Sequence, residues 1–183
     1  SSRTTDNNKN MAAIGAVIAK KLNDAGIKTL HDKTQHDYPQ YNGSYSRSAE
    51  TINKYLKKYK SIKIVLDLHR DSVTVTGNDK AKLVTKINGK KAAQIMIISG
   101  CDDGTMDMPG YWENFRFAAA LADKLEELYP GLCRPILFDY RKYNMDLSPG
   151  LLLIEIGATG NTLSEAQYSA ELLGNALCEL FSE

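Results

Sequence analysis

The 183-residue chain has few cysteines, no long apolar run and no excess of charge of either sign. Its three cysteines, Cys101, Cys133 and Cys178, lie far apart without a CxxC pair, so neither a zinc knuckle nor a disulfide framework is indicated. It contains no apolar run of about 18 residues or more and no signal peptide, so we expect no anchor or export signal within these residues. Lys plus Arg total 23 against 22 for Asp plus Glu, which predicts no nucleic-acid partner.

The composition of the chain is typical of a globular domain. Hydrophobic residues make up 43% of the chain and charged residues 25%, close to the averages for soluble proteins. The length suits one domain covering residues 1–183. No GxGxxG or Walker loop follows an early strand, so a nucleotide-binding domain is not favoured.

The order of predicted elements indicates an α/β fold. Apolar residues at helical spacing predict helices over residues 10–25, 48–59, 112–129 and 164–181. Strands are expected at 27–32 ("IKTLHD"), 62–68, 72–77 ("SVTVTG"), 135–140 and 150–158, and in a hairpin over 82–100 that turns at Asn88-Gly89. Because strands and helices alternate, we expect a mixed sheet flanked by helices.

Histidine is scarce, and one of the three histidines is placed like a site residue. His69 follows the apolar strand "IVLDL", and ligands in open α/β sheets bind where strands end. A histidine that caps the strand through hydrogen bonds is the alternative.

Glu155 interrupts the apolar strand "LLLIEIG". A carboxylate there loses its hydration at considerable cost unless it is paired or bound to a cation. A structural salt bridge is one interpretation, and a general base with a raised pKa is the other. A late-strand Glu together with a strand-end His is the skeleton of a zinc hydrolase.

Two long segments carry a resemblance to a known family: "HDKTQHDYPQYNGSYSRSAETINKYLKKYKSIKIVLDLHRDSV" and "YNMDLSPGLLLIEIGATGNTLSEA". They resemble the zinc N-acetylmuramoyl-L-alanine amidase family, in particular its members that act in sporulation. The resemblance implies a phosphorylase/hydrolase-like fold, a Zn²⁺ cofactor and cleavage of the amide between N-acetylmuramic acid and L-alanine in peptidoglycan. It also implies a contribution to cutting stem-peptide crosslinks.

The resemblance assigns roles to particular residues. His69 matches the family's later histidine ligand and Glu155 its catalytic glutamate. Asp6 is the candidate for the acidic metal ligand, with Asn7 as the alternative by spacing. The family's first strand, with its HTH-like metal motif, has no counterpart here, so we expect an amidase domain that lacks this strand, unless His31 or His36 substitutes. A noncatalytic wall-binding or scaffold module with an incomplete metal site is the competing function.

Other residues are candidates for contact with the substrate. Arg47 suits a stem-peptide carboxylate, or a salt bridge with Glu50. His31 and His36 are candidates for substrate binding or for holding their loop together. Four aromatic rings could stack on sugars: Tyr38, Tyr41, Tyr45 and Trp112. Two residues just before the late strand are candidates for supporting positions beside the site: Arg141 and Asn144.

The resemblance also implies a cellular setting. It places the protein outside the cytoplasm and on a membrane, through an anchor segment that is not in this chain. Its implied partners are peptidoglycan, a sporulation transglycosylase and the membrane anchor.

Overall fold

A computed structural model describes residues 4–73 and 80–182. In these ranges it contains four helices, six strands and a short 3-10 turn at Met145–Leu147. The helices are α1 (Met11–Asp24), α2 (Ser44–Lys58), α3 (Tyr111–Leu128) and α4 (Leu163–Leu180). The strands are β1 (Val65–Asp71), β2 (Val84–Ile87), β3 (Lys90–Ala93), β4 (Ile95–Gly100), β5 (Leu137–Asp139) and β6 (Leu151–Ala158).

Four strands form one mixed sheet in the order β1-β6-β4-β5. β1 runs parallel to β6, β6 antiparallel to β4, and β4 parallel to β5. Strands β2 and β3 form a separate antiparallel hairpin. Asn88 (φ 50°) and Gly89 (φ 77°) form its turn, as predicted, because a tight hairpin turn requires left-handed backbone. The α/β class and the mixed sheet are therefore confirmed.

The sheet separates two apolar layers because successive side chains of each strand point to opposite faces. On one face Leu152, Ile154 and Ile156 of β6 pack with residues of α1, α3 and α4. On the other face Leu151 and Leu153 pack with Ile98, Met108 and Met145. Glu155 continues the second row, so it lies on the face that carries the smaller apolar cluster.

Several predicted boundaries are wrong. α2 begins at Ser44, earlier than residue 48, and β1 covers 65–71 rather than 62–68. Residues 72–73 lie outside any strand, and 74–77 of the predicted strand "SVTVTG" lie outside the described residues.

The predicted strand at residues 27–32 is absent for a physical reason. A strand is held by hydrogen bonds to a neighbour, and β1, the outermost strand of the sheet, pairs only with β6 in the described part of the chain. Both β1 and segment 27–32 instead line one groove.

No helix in the described ranges combines the length and the apolarity that crossing a membrane requires.

Candidate functional site

His69 and Glu155 lie side by side on neighbouring strands. In the parallel β1–β6 pair the Cα atoms of His69 and Glu155 are partners in register, so their side chains leave the same face of the sheet. The register then shifts, and Asp71 pairs with Ala158. The end of β1 thus presents His69 beside the one carboxylate that interrupts β6.

Glu155 is a buried carboxylate with unused hydrogen-bonding capacity. Its Oε2 atom is buried and has no hydrogen-bond partner within the described structure. Burial raises the pKa of Glu155 to about 7, and the charges of Asp71 and Asp67 act in the same direction. The neighbouring His69 and Arg134 oppose this rise but do not cancel it. A carboxylate with a raised pKa and a buried oxygen that has no partner in the described structure is a candidate for a general base.

His69 is held by a carboxylate on its own strand. Its Nε2 atom lies 3.1 Å from Oδ1 of Asp67, two residues earlier on the same face. Burial alone would lower the pKa of His69, but the hydrogen bond and charge of Asp67, with the charges of Glu155 and Asp37, raise it. An imidazole fixed by a carboxylate is the arrangement that metal-binding histidines commonly show. Asp67 could have been found from sequence, because positions i and i+2 of a strand share a face.

The described side chains fit a metal site only in part. In residues 4–73 and 80–182, no group of three His, Cys, Asp or Glu side chains is arranged to hold a metal ion. His69, with Glu155 beside it, supplies one imidazole and one carboxylate.

Asp6 lies in the turn before α1, where its carboxylate has local partners. It accepts a hydrogen bond from the Asn8 backbone N–H at 3.0 Å and pairs with Lys9 at 3.3 Å. These contacts lower the pKa of Asp6. The alternative ligand, Asn7, lines the groove and accepts hydrogen bonds from the side chains of Asn10 and Gln35. Ligation by either residue stays a prediction.

The two loop histidines contact different helices. A Cβ atom added to Gly15 of α1 would lie 2.6 Å from Nε2 of His31, so this imidazole packs directly on the helix backbone. Burial lowers the pKa of His31. His36 Nε2 lies 2.9 Å from the Thr51 hydroxyl on α2. Both histidines line the groove, which places them for either of their expected roles.

Arg47 holds the loop before α2 together. Its guanidinium donates to the carbonyl oxygens of His36 at 2.7 Å, Gln40 at 2.5 Å and Asn42 at 3.2 Å. The described structure therefore gives Arg47 an architectural role, and recognition of a stem-peptide carboxylate stays a prediction.

A groove of about 1570 Å³ contains the pair. Its walls come from α1, α2, residues 27–37 and β1, and His69 and Glu155 line it. The edge of β1 that faces away from β6 pairs with no strand of residues 4–73 and 80–182, and β1 lines the same space. The groove is thus large enough for an extended segment of polypeptide or a peptide-like ligand.

Two tyrosines lie beside His69 through contacts that the sequence does not predict. The ring of Tyr45 stacks on His69, with centroids 6.2 Å apart and planes 5° apart, and also on Tyr143 at 5.1 Å. The sequence predicts Tyr45 only as one of several rings that could stack on a sugar, and it does not single out Tyr143. No local pattern marks this contact, because the two tyrosines meet through the tertiary fold.

Comparison with known proteins gives a consistent assignment. The family model described as stage II sporulation protein P matches residues 1–178. The curated stage II sporulation protein P of Bacillus subtilis (strain 168) is 28% identical over 185 aligned residues, which cover 95% of this chain and 43% of that protein. The chain thus spans less than half the length of this relative. Because the family model matches almost every residue, the chain belongs to the stage II sporulation protein P family.

Proposed function

We propose that the chain is the catalytic part of a zinc-dependent peptidoglycan hydrolase of sporulation. The proposed reaction is hydrolysis of the amide between N-acetylmuramic acid and the L-alanine of the stem peptide, with a further contribution to cutting stem-peptide crosslinks. The observation that carries the proposal is the in-register pairing of His69 with Glu155, whose buried Oε2 atom has no partner in the described structure. Family membership supports the link to sporulation.

His69 and Glu155 have different roles in the proposed reaction. A bound zinc ion would supply a water molecule of lowered pKa and would polarise the amide carbonyl. His69, held by Asp67, is the ligand this chain offers at the end of β1. Glu155 accepts a proton from the attacking water and passes it to the leaving amine, a role for which its Oε2 atom, buried and without a partner in the described structure, is available.

The remaining ligands are proposed to come from two places. Asp6, or Asn7 in its stead, is the ligand from this chain, and a histidine on a further strand completes the set. Such a strand would pair with the free edge of β1, where residues 27–32 offer a second strand-like segment across the groove.

The cellular setting is part of the same proposal. Peptidoglycan is the substrate, so the site acts outside the cytoplasm, beside a sporulation transglycosylase and a membrane anchor that this chain does not include. The length of the Bacillus subtilis relative, of which this chain covers 43%, leaves room for further segments of that kind.

A noncatalytic wall-binding or scaffold module is the competing function. The observation in its favour is that no three metal-binding side chains come together in residues 4–73 and 80–182. Such a module would bind peptidoglycan through the groove without hydrolysing it.

Zinc content and the release of stem peptides from purified sacculi separate the two functions. Both should be measured on this chain and on a version extended toward its N-terminus. We expect Glu155→Gln to keep zinc while losing roughly 100-fold or more in rate, and His69→Ala to lose both zinc and activity. Glu127→Gln, at an exposed position on α3, is the matched control. An extended, zinc-loaded protein that releases no peptide would leave the binding module as the function.

A further inference from the structure

We propose that Tyr45 is a positioning residue that fixes the plane of the His69 imidazole. The consequence for catalysis rests on the proposed function, whereas the effect on the imidazole itself does not. This role of Tyr45 goes beyond what membership of the family implies.

The first observation is the geometry of the rings. Tyr45, in the first turn of α2, lies with its ring within 5° of parallel to that of His69. Asp67 fixes His69 at one nitrogen, which still allows the ring to rotate about that hydrogen bond. A parallel ring alongside favours one plane of the imidazole, because an offset, parallel arrangement of two aromatic rings is favourable at this distance between their centroids. Asp67 and Tyr45 together therefore define both the direction and the plane of the imidazole.

The second observation is that Tyr45 is itself supported from behind. Tyr143 stacks on Tyr45 with planes 27° apart. Arg141 donates from Nη1 to the Tyr143 hydroxyl at 2.8 Å and from Nε to Asp139 at 2.8 Å. Asp139 ends β5, on the opposite edge of the sheet from β1. A continuous row of contacts thus connects the end of β5 to His69.

The third observation is a strained turn whose two residues both contact Tyr45. Tyr143 (φ 40°) and Asn144 (φ 63°) are consecutive non-glycine residues in the left-handed region, which costs free energy. The Asn144 side chain donates to the backbone carbonyl of Tyr45 at 2.9 Å. The turn therefore holds the backbone of Tyr45 while it presents Tyr143 to the ring of Tyr45. Strain of this kind is typical of positions that serve a site.

Substitutions at Tyr45 separate the ring from its hydroxyl group. Tyr45→Phe keeps the flat surface, and Tyr45→Leu removes it while retaining an apolar side chain. We expect the ¹H–¹⁵N imidazole signals of His69 in Tyr45→Phe to match those of the unaltered chain. In Tyr45→Leu they should broaden or show a changed ratio of the two tautomers in their ¹⁵N shifts, to which the loss of a ring current contributes little, while the signals of His31 and His36 stay in place. Tyr55→Leu, at the other end of α2, is the control for a general effect of losing a stacked ring.

A second variant keeps the test decisive if Tyr45→Leu fails to fold. Asn144→Gly accepts the left-handed conformation without strain and removes the hydrogen bond to the Tyr45 carbonyl. We expect it to fold and to perturb the His69 signals in the same direction as the loss of the ring. The proposal is overturned if His69 is unaffected in the folded variants, or if Tyr45→Phe is as damaging as Tyr45→Leu.

Activity measurements distinguish this proposal from the proposed function. In the zinc-loaded, extended protein, Tyr45→Leu should lower kcat or zinc affinity roughly 10-fold, with rescue in Tyr45→Phe. If the imidazole signals respond as expected but no form of the protein hydrolyses peptidoglycan, the proposed function fails while the positioning role stands.

Discussion

Glu165 shows how a buried carboxylate is stabilised when it has a full set of partners. Its Oε1 atom lies 2.8 Å from Lys82, and its Oε2 accepts hydrogen bonds from the Thr162 backbone and the Asn161 side chain. Burial opposes ionisation, but these contacts outweigh it and lower the pKa of Glu165 to about 2. Glu155, buried without such partners, has a pKa near 7. The carboxylate of Glu165 thus has a structural role, whereas that of Glu155 keeps an oxygen without a partner in the described structure.

Glu165 therefore makes the fold sensitive to acid. Its pKa of about 2 in the folded chain lies below the ordinary value of 4.5, so the unfolded chain binds more protons between these values. The stabilisation is fully present above about pH 4.5 and is lost as the pH falls toward 2. Glu165→Gln should lower the free energy of unfolding by about 1–3 kcal/mol at pH 7, and by less at pH 3. Urea denaturation at both pH values measures this, with Glu127→Gln as the control, and an equal loss at both would contradict the account.

Arg47 gives a second prediction at the scale of one residue. Lysine at this position keeps the charge but loses the planar fork that reaches three carbonyls. Arg47→Lys should cost roughly 1–2 kcal/mol of stability and should speed amide exchange and proteolysis within residues 36–42. Arg116→Lys, on the exposed side of α3, should leave both unchanged. If the two variants behaved alike, the loop would not depend on Arg47.

At the scale of elements, the start of the β1–β6 pair depends on a close approach of two backbones. The Val65 N–H donates to the Gly150 carbonyl at 3.0 Å. A Cβ atom on Gly150 would lie 2.1 Å from the carbonyl oxygen of Lys63. Only glycine therefore allows the two strands to begin side by side, which is a condition for placing His69 opposite Glu155 in the register.

Replacing this glycine should disturb both stability and the site. We expect Gly150→Ala to lower the free energy of unfolding by about 1–3 kcal/mol, because the methyl group forces backbone atoms apart. Gly110→Ala is the control, since a Cβ there would meet Pro149 at an ordinary 3.4 Å. Chemical denaturation compares the two variants, and the imidazole signal of His69 reports any change in register. Equal stability of both variants would show that the backbones can separate without cost.

The elements also show what sequence can and cannot specify. The long amphipathic helices and the apolar strand β6 could be predicted because each carries its own periodicity, and Asn88-Gly89 specifies its hairpin turn. Segment 27–32 has strand-like composition, but whether it forms a strand depends on a neighbour. Glu155 is conspicuous in the sequence because a carboxylate is unusual within an apolar strand. The stacking of Tyr45 on His69 depends instead on the tertiary fold, and the carbonyl partners of Arg47 depend on the conformation of the loop before α2.

At the scale of the whole molecule, the most buried strand, β6, lies directly beside β1, an edge strand of the sheet in the described part of the chain. β6 is flanked by β4 and β1 and is buried along almost its entire length. β1 is only partly buried, although Val65, Leu66 and Leu68 are apolar. An edge strand of this kind offers unpaired backbone groups to another strand. The pair of site residues therefore lies next to the place where the sheet can be extended.

Amide hydrogen exchange tests this asymmetry directly. The N–H of Val65 points to β6, so the N–H groups of Leu66 and Leu68 point to the groove. We expect these two amides to exchange at least roughly 100-fold faster than those of Leu152 and Ile154 in β6, because opening the central strand requires disrupting the core. Extension of the chain by the proposed further strand should slow exchange at Leu66 and Leu68 and leave Leu152 and Ile154 unchanged. Equal protection of both strands in the 183-residue chain would contradict an open edge, and no change on extension would place the missing ligand elsewhere.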